Sequence, residues 1–129
     1  MIYGVGTDVV EVSRIAATIK RFGDHFVNRL LLDEERAIFD RYKRKVRFLA
    51  MRFAAKEACV KAMGTGFSNG MWIRDVGVVS DPLGKPLVVF SERGRAKCEA
   101  LGIGEAHVRL TYEDGLVVDM SIMESRTSR

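Results

Sequence analysis

The sequence has few residues that could stabilise a fold by anything other than a packed core. Its 129 residues include two cysteines, two prolines and one tryptophan. Cys59 and Cys98 lie in helix-like segments and lack the CxxC spacing of a metal or redox site. We therefore expect reduced thiols, which are typical of cytosolic proteins, and not a disulfide framework.

Long apolar runs are also missing. No segment approaches the roughly 20 apolar residues that cross a bilayer, and the N-terminus lacks the basic region and cleavage site of a signal peptide. The sequence therefore predicts a cytoplasmic protein without a membrane segment.

Acidic residues are outnumbered, with 21 lysines and arginines against 17 aspartates and glutamates. Most of the excess lies in the first half of the chain, which favours an acidic partner. A basic nucleic-acid-binding module is the main alternative. The chain has no recognised nucleic-acid motif, and its basic half also carries two carboxylates in apolar surroundings, so we expect no nucleic-acid partner.

The periodicity of apolar residues predicts an α+β fold. Strands alternate in a period of two and helices in a period near 3.6. The predicted strands span 2–10, 76–79, 87–90, 107–112 and 116–123, and the predicted helices start at Ser13, 26, 33, 46 and Ser91. We expect one domain over residues 1–129, with a frayed tail from about 125. Its antiparallel sheet would have helices packed on one side.

Two segments contain candidate metal ligands. Asp8 lies in the segment GVGTDVVE (4–11), and Glu57 lies in RFAAKEACVKAMGTG (52–66). Taken singly, Asp8 suggests a turn residue and Glu57 a helix-surface partner of Lys61. Taken together, two carboxylates among small apolar residues suit Mg²⁺, which takes one or two protein carboxylates and completes its shell with phosphate and water.

Three further features could contact a phosphate. Gly64, Thr65 and Gly66 are typical of a helix C-cap, but Lys61 one turn earlier could make them part of a phosphate cradle. They do not form a Walker A motif, because the lysine precedes the glycines. His107 begins a predicted strand and, as a lone histidine, is more often structural, although its imidazole could bind phosphate.

These segments, in this order, resemble the bacterial holo-[acyl-carrier-protein] synthases, the small class of 4′-phosphopantetheinyl transferases. The resemblance extends over essentially the whole chain. Besides the two segments above, it rests on Arg47-Phe48-Leu49-Ala50, Leu83-Gly84-Lys85-Pro86 and His107-Val108. A fold of the 4′-phosphopantetheinyl transferase type is implied.

The resemblance implies a Mg²⁺-dependent reaction in fatty acid biosynthesis. Coenzyme A would donate 4′-phosphopantetheine to a serine of apo acyl carrier protein, leaving adenosine 3′,5′-bisphosphate. Asp8 and Glu57 would bind the metal, and Lys61 would neutralise phosphate or help to protonate the leaving group. The serine proton would pass to Glu57 or to a metal-bound water beside it. Homotrimers with sites between subunits are also implied.

The resemblance assigns roles to further residues. The expected coenzyme A contacts are Arg52, Phe53, Gly64, Thr65, Gly66 and His107. Because acyl carrier proteins are acidic, we expect docking on Arg14, Lys20 and Arg21. A carrier domain of a larger synthase is an alternative acceptor. Tyr112 stands where many relatives have His or Asp, so a role assigned there does not transfer to it.

Overall fold

A computed structural model describes residues 1–126. Within that range the helices are α1 (Val12–Phe22), α2 (Asp24–Leu30), α3 (Asp33–Arg41), α4 (Lys45–Met63) and α5 (Glu92–Leu101), with a 3₁₀ helix at Ile73–Asp75. The strands are β1 (Ile2–Glu11), β2 (Val76–Ser80), β3 (Pro86–Phe90), β4 (Ile103–Glu113) and β5 (Leu116–Ser125). No helix in this range combines the length and apolar character needed to cross a membrane.

The strands divide between two antiparallel sheets. One has the order β1-β5-β4, and the other is the β2-β3 hairpin. In the larger sheet Asp8 lies opposite Asp119. The α+β organisation with antiparallel strands is confirmed, and the division into two sheets adds a detail that the pattern did not predict.

Helix α4 lies directly on one face of the larger sheet, and two glycines of β1 make this possible. A Cβ atom on Gly6 would collide with the carbonyl oxygen of Ala58, and one on Gly4 would collide with that of Ala62. The close approach buries the α4 residues from Phe48 to Ala50 and most of those from Ala54 to Met63. It also brings the β1 residues after Gly6 next to the polar side of α4.

Two expectations at the element ends are wrong. Helix α1 begins at Val12, so Ser13 lies inside its first turn, and Glu11 at the cap position makes no side-chain cap hydrogen bond. The chain passes from β1 straight into α1 and leaves no turn for Ser13 to cap. Ser91, in contrast, caps α5 by accepting a hydrogen bond from the Gly94 N–H.

The predicted frayed tail is also wrong at its start. Ser125 ends β5 and donates its N–H to the Met1 carbonyl at 2.7 Å, and Arg126 donates to the Gly102 carbonyl at 2.8 Å. Residues 127–129 of the predicted tail lie outside the described residues.

Candidate active site

Asp8 and Lys61 meet where β1 passes under α4. The Lys61 ammonium donates to Asp8 Oδ1 at 2.9 Å and to the Thr7 carbonyl at 3.1 Å. The Asp8 side chain is mostly covered, whereas Lys61 is half exposed. The charges thus lie at the protein surface, where Lys61 can exchange a protein oxygen for a ligand oxygen.

Glu57 lies one helical turn before Lys61 and shares a cavity with Asp8. The cavity has a volume of about 440 Å³. Its other lining residues come from β1, α1, α2 and α4: Val9, Val10, Arg14, Ile15, Thr18, Phe26 and Phe53. The structure therefore brings together Asp8, Glu57, Phe53 and Arg14 around one cavity with Lys61 at Asp8.

The Glu57 carboxylate is held in unfavourable surroundings. Burial raises its pKa, the Asp8 charge raises it further, and Lys61 opposes the shift. Within the described residues Glu57 has no ion-pair or hydrogen-bond partner, since Lys61 donates to Asp8 and Thr7. Two carboxylate groups facing one cavity with a single nearby lysine form a donor set suited to a hard divalent cation.

Gly64, Thr65 and Gly66 terminate α4, and their N–H groups are already used. Gly64 has φ 81°, the left-handed conformation that glycine adopts without strain. The Gly64 N–H donates to the Lys61 carbonyl, and the N–H groups of Thr65 and Gly66 donate to the Val60 carbonyl at 3.1 and 3.2 Å. The helix cap therefore uses these three N–H groups within the chain.

Arg52 lies apart from Asp8 and Glu57, which we call the acid pair. It is 6% exposed, its Nε donates to the Val78 carbonyl at 3.0 Å, and its guanidinium stacks 4.2 Å from the Phe48 ring centroid. It does not line the cavity with Phe53, its neighbour in sequence. Its contacts with Val78 and Phe48 direct the Arg52 guanidinium away from this cavity.

His107 is also distant from Asp8 in the same chain. His107 lies opposite Ile122 of β5, which in turn lies opposite Val5 of β1, and all three are on the exposed sheet face. Val5 is three residues before Asp8 in β1. Strand spacing and rise place His107 roughly 14 Å from Asp8. His107 instead bonds Glu124 and lines a separate cavity of about 430 Å³ with Lys85 and Arg95.

Tyr112 has a local role. Its hydroxyl accepts a hydrogen bond from the Gly115 N–H at 3.1 Å, across the β4–β5 turn. The Arg47 guanidinium lies 3.6 Å from its ring centroid. The hydrogen bond closes the hairpin turn, and the Arg47 contact holds the hairpin against α4.

The predicted docking residues line α1 beside the cavity. Arg14 lines the cavity itself, while Lys20 and Arg21 are exposed in the last turn of α1. A second cavity of about 590 Å³ adjoins the first through Thr18 and Phe26, which line both. It is more apolar, and its rim carries the exposed rings of Phe22 and Trp72.

Two buried acids escaped the sequence analysis. Glu35 accepts from Lys56, from the Leu32 N–H and from the Val78 N–H, and is fully buried. Asp119 is also fully buried, with one oxygen accepting from the Thr111 N–H and the other without a partner among residues 1–126. Burial raises the pKa of Asp119 to about 7, although Thr111 and Arg52 oppose the shift. The alternation of buried Val117, Asp119 and Ser121 in β5 was the available signal.

Comparison with known proteins identifies the family. Residues 4–113 match the model of the 4′-phosphopantetheinyl transferase superfamily. The holo-[acyl-carrier-protein] synthases of Pectobacterium carotovorum and of an Enterobacter strain are 42% and 44% identical over 124 residues, covering 96% of this chain and 98% of each relative.

Solved structures of similar proteins identify the same family. The holo-[acyl-carrier-protein] synthase of Neisseria meningitidis superposes with a TM-score of 0.93 at 38% identity, over 97% of this chain and all of that one. The Helicobacter pylori enzyme, solved in complex with coenzyme A, gives 0.83 at 26% identity, over 93% of this chain and 99% of that one. With this fold, with Asp8 and Glu57 at one cavity and with Lys61 paired to Asp8, the chain belongs to the 4′-phosphopantetheinyl transferase superfamily, among the holo-[acyl-carrier-protein] synthases.

Proposed function

We propose that this chain transfers 4′-phosphopantetheine from coenzyme A to a serine of apo acyl carrier protein, with adenosine 3′,5′-bisphosphate as the other product. The observation that carries the proposal is that Asp8 and Glu57 line one cavity while Lys61 is paired with Asp8. Transfer at a pyrophosphate requires mainly charge neutralisation and alignment, and these three side chains are suited to both.

Asp8 and Glu57 would bind Mg²⁺ in this reaction. Their fit rests on the donor set, which is two carboxylates at one cavity. Glu57 has no partner in the part of the chain that the structure describes, and its pKa is raised by burial and by the Asp8 charge. Mg²⁺ bound there would neutralise pyrophosphate oxygens and orient them.

Lys61 would act on the phosphate. Its ammonium is held at Asp8 and at the Thr7 carbonyl, yet it is half exposed. A phosphate entering the cavity could therefore take one of its N–H donors without displacing both protein contacts. The ammonium would then neutralise negative charge on the leaving adenosine bisphosphate.

Glu57 is our candidate for the proton acceptor from the carrier serine. Its carboxylate faces the cavity and has no hydrogen-bond partner among the described residues. Burial and the Asp8 charge raise its pKa, which makes the carboxylate a stronger base. Phe53, beside it in the cavity lining, would help to exclude water.

Carrier docking would use α1. Arg14 stands at the cavity and Arg21 lies seven residues, or two turns, further along the same helix face. Lys20 adds a third cation. The exposed rings of Phe22 and Trp72 beside this strip could cover apolar side chains of the carrier. An acidic surface with an apolar centre is the complementary partner.

In a homotrimer, a neighbouring subunit would supply the His107 contact to the nucleotide that one chain lacks at its own acid pair. The sheet face opposite α4 exposes Val5, Val9, Val118 and Met120 at 41–58%. Such an apolar face is typical of a subunit interface. His107 lies on that face, so in an assembly with sites between subunits it could reach the nucleotide at a neighbour's acid pair. We place the reaction in cytoplasmic fatty acid biosynthesis.

The deciding experiment is mass spectrometry of apo acyl carrier protein incubated with this protein and coenzyme A. We expect the carrier to gain one phosphopantetheine with Mg²⁺ and none with EDTA. A gain that persists in EDTA would contradict the metal assignment, and no gain under any condition would contradict the reaction. Light scattering coupled to size exclusion tests the trimer separately.

A further inference from the structure

The single tryptophan of the chain stands exposed at the rim of the second cavity. Trp72 is 67% exposed, although the residue before it, Met71, is completely buried. The cavity lining beside Trp72 is mainly apolar and includes Phe26, Leu30 and Phe67. A large exposed ring beside such a lining is the kind of side chain that most often carries the binding energy of a protein interface.

A polar network holds Trp72 in place. The Trp72 N–H donates to Asp75 Oδ2 at 2.9 Å, and Ser91 Oγ donates to Asp75 Oδ1 at 2.7 Å. Arg93 Nη2 lies 3.4 Å from Asp75 Oδ2 and donates to the Gly70 carbonyl at 3.2 Å. The Arg93 guanidinium also lies over the indole, 5.2 Å from its centroid. The ring is therefore supported from α5 before a partner binds, which lowers the entropic cost of binding.

The charges around the second cavity favour an acidic partner. Among residues 1–126 its lining includes two basic side chains, His25 and Arg29, and no acidic one. Lys20 and Arg21 lie close by, in the last turn of α1. Within the same described range, Lys20, Arg21 and Arg29 have no carboxylate oxygen within 4.0 Å. Their charges are thus available to carboxylates of another protein.

The second cavity is continuous with the candidate active site. Thr18 and Phe26 line both cavities, so a protein that presents a serine at the acid pair would extend over Trp72. The surroundings of this cavity are helical, with α1 packed on α4 and α2 on the 3₁₀ helix. It is therefore separate from the exposed sheet face that we assign to subunit contacts.

We propose that Trp72 is the apolar anchor for the acyl carrier protein and that Arg93 is its positioning residue. The occupant of the second cavity is then an apolar side chain of the carrier that is surrounded by carboxylates. This inference rests on the proposed function and extends carrier docking from α1 to the segment after α4.

Trp72 fluorescence reports on this contact directly, because the chain has one tryptophan. An apo acyl carrier protein without tryptophan should shift the emission to shorter wavelength and reduce its quenching by acrylamide, whereas coenzyme A alone should do neither. Absence of a response to the carrier overturns the proposal. An equal response to coenzyme A, or a shift on dilution of the protein alone, overturns it in favour of the substrate or of a second copy.

Steady-state kinetics tests the contribution of the ring. Trp72→Ala should raise the KM for the carrier at least about tenfold, as expected for an interface hot spot, with kcat and the KM for coenzyme A near their original values. Trp72→Phe should restore most of the loss. The matched control is Leu83→Ala, which removes an exposed apolar side chain that lines neither cavity and should leave the carrier KM unchanged. An unchanged carrier KM in Trp72→Ala contradicts the anchor.

Arg93→Ala tests the positioning role. We expect it to lower the fluorescence anisotropy of Trp72 in the free protein and to raise the carrier KM roughly threefold, as the loss of a cation–π contact predicts. In the Trp72→Ala background it should have no further effect. An effect that persists there would indicate a direct contact between Arg93 and the carrier and would overturn the positioning role. A carrier-dependent emission shift without transfer would support the anchor while contradicting the proposed reaction.

Discussion

Two lysines of α4, Lys56 and Lys61, each pair with a carboxylate from another element. Lys56 and Glu35 are fully buried at 2.7 Å, whereas Lys61 and Asp8 are 2.9 Å apart with the lysine half exposed. Lys56 also donates to the carbonyls of Ile73 and Val76, and Glu35 accepts two backbone N–H groups.

The difference lies in how completely each pair is satisfied. The buried pair has protein partners for its charges and joins α3, α4 and β2, so it stabilises the fold. In the outer pair, Asp8 lines a cavity beside Glu57, which has no partner among the described residues, and Lys61 is half exposed, so this pair can exchange contacts with a ligand. Residue type and spacing along one helix do not separate these roles, but burial and hydrogen bonding do.

The largest effect should come from removing the acids of the outer site. We expect Asp8→Ala and Glu57→Ala each to lower phosphopantetheine transfer by at least about 1,000-fold, because each removes half of the proposed metal donor set. The free energy of unfolding should change by less than about 1 kcal/mol, since the site is partly solvated. Transfer assays and urea denaturation measure the two effects. Glu34→Ala, an exposed acid of α3, is the control, and activity retained in either site variant would contradict the assignment.

Changing the buried pair Lys56–Glu35 should, in contrast, lower the free energy of unfolding strongly. Lys56→Met keeps the aliphatic stem but leaves the Glu35 carboxylate without its closest countercharge, which should lower the free energy of unfolding by about 3–5 kcal/mol. Lys61→Met is the matched change at the outer pair and should cost less than about 1 kcal/mol. Equal losses in urea denaturation would remove the distinction between the pairs.

Asp119 extends the comparison to a buried acid that is only half satisfied. Its folded-state pKa of about 7 is raised by burial above the ordinary unfolded value, so folding favours the protonated form. The contribution of Asp119 to the free energy of unfolding is therefore largest below about pH 4 and declines as the pH rises from about 4 to 7, by about 4 kcal/mol. Asp119→Ala should flatten that decline in denaturation of the metal-free protein. An unchanged pH slope would contradict the shift.

The smallest effect concerns the cations of the proposed docking strip on α1, of which Arg14 lines the cavity. Arg14→Glu should raise the KM for acyl carrier protein about tenfold, because it reverses a charge at the proposed docking strip. The KM for coenzyme A should change less. Arg41→Glu makes the same charge change at an exposed residue of α3 and should leave both constants near their original values. A similar rise in Arg41→Glu would indicate a general field and not a docking strip.

Local sequence patterns predicted the elements well where one signal dominated. Alternation located the strands, and Ser91 and Gly64 correctly marked a helix start and a helix end. The start of α1 was wrong because β1 continues into it without a turn. Propensity at Ser13 could not reveal that continuity.

Within the candidate site, helical spacing placed Glu57 and Lys61 one turn apart. The sequence also indicated that the segment containing them and the segment containing Asp8 belong to one site. Arg52 and the glycine-rich turn were less predictable. Arg52 looks like a phosphate ligand until its contacts with Val78 and Phe48 are known. The N–H groups of the turn look available until the cap geometry assigns them to Val60 and Lys61.

By itself, the sequence determined the α+β class and the candidate acids, because periodicity and residue chemistry are local properties. Tertiary structure decided which charges face a cavity and which are buried. That outcome depends on how closely α4 approaches β1, and the two glycines allow an approach that exposes Lys61 and Glu57 beside Asp8 while enclosing Lys56. Desolvation and hydrogen bonding then distinguish a structural ion pair from a reactive one, and both depend on neighbours distant in sequence.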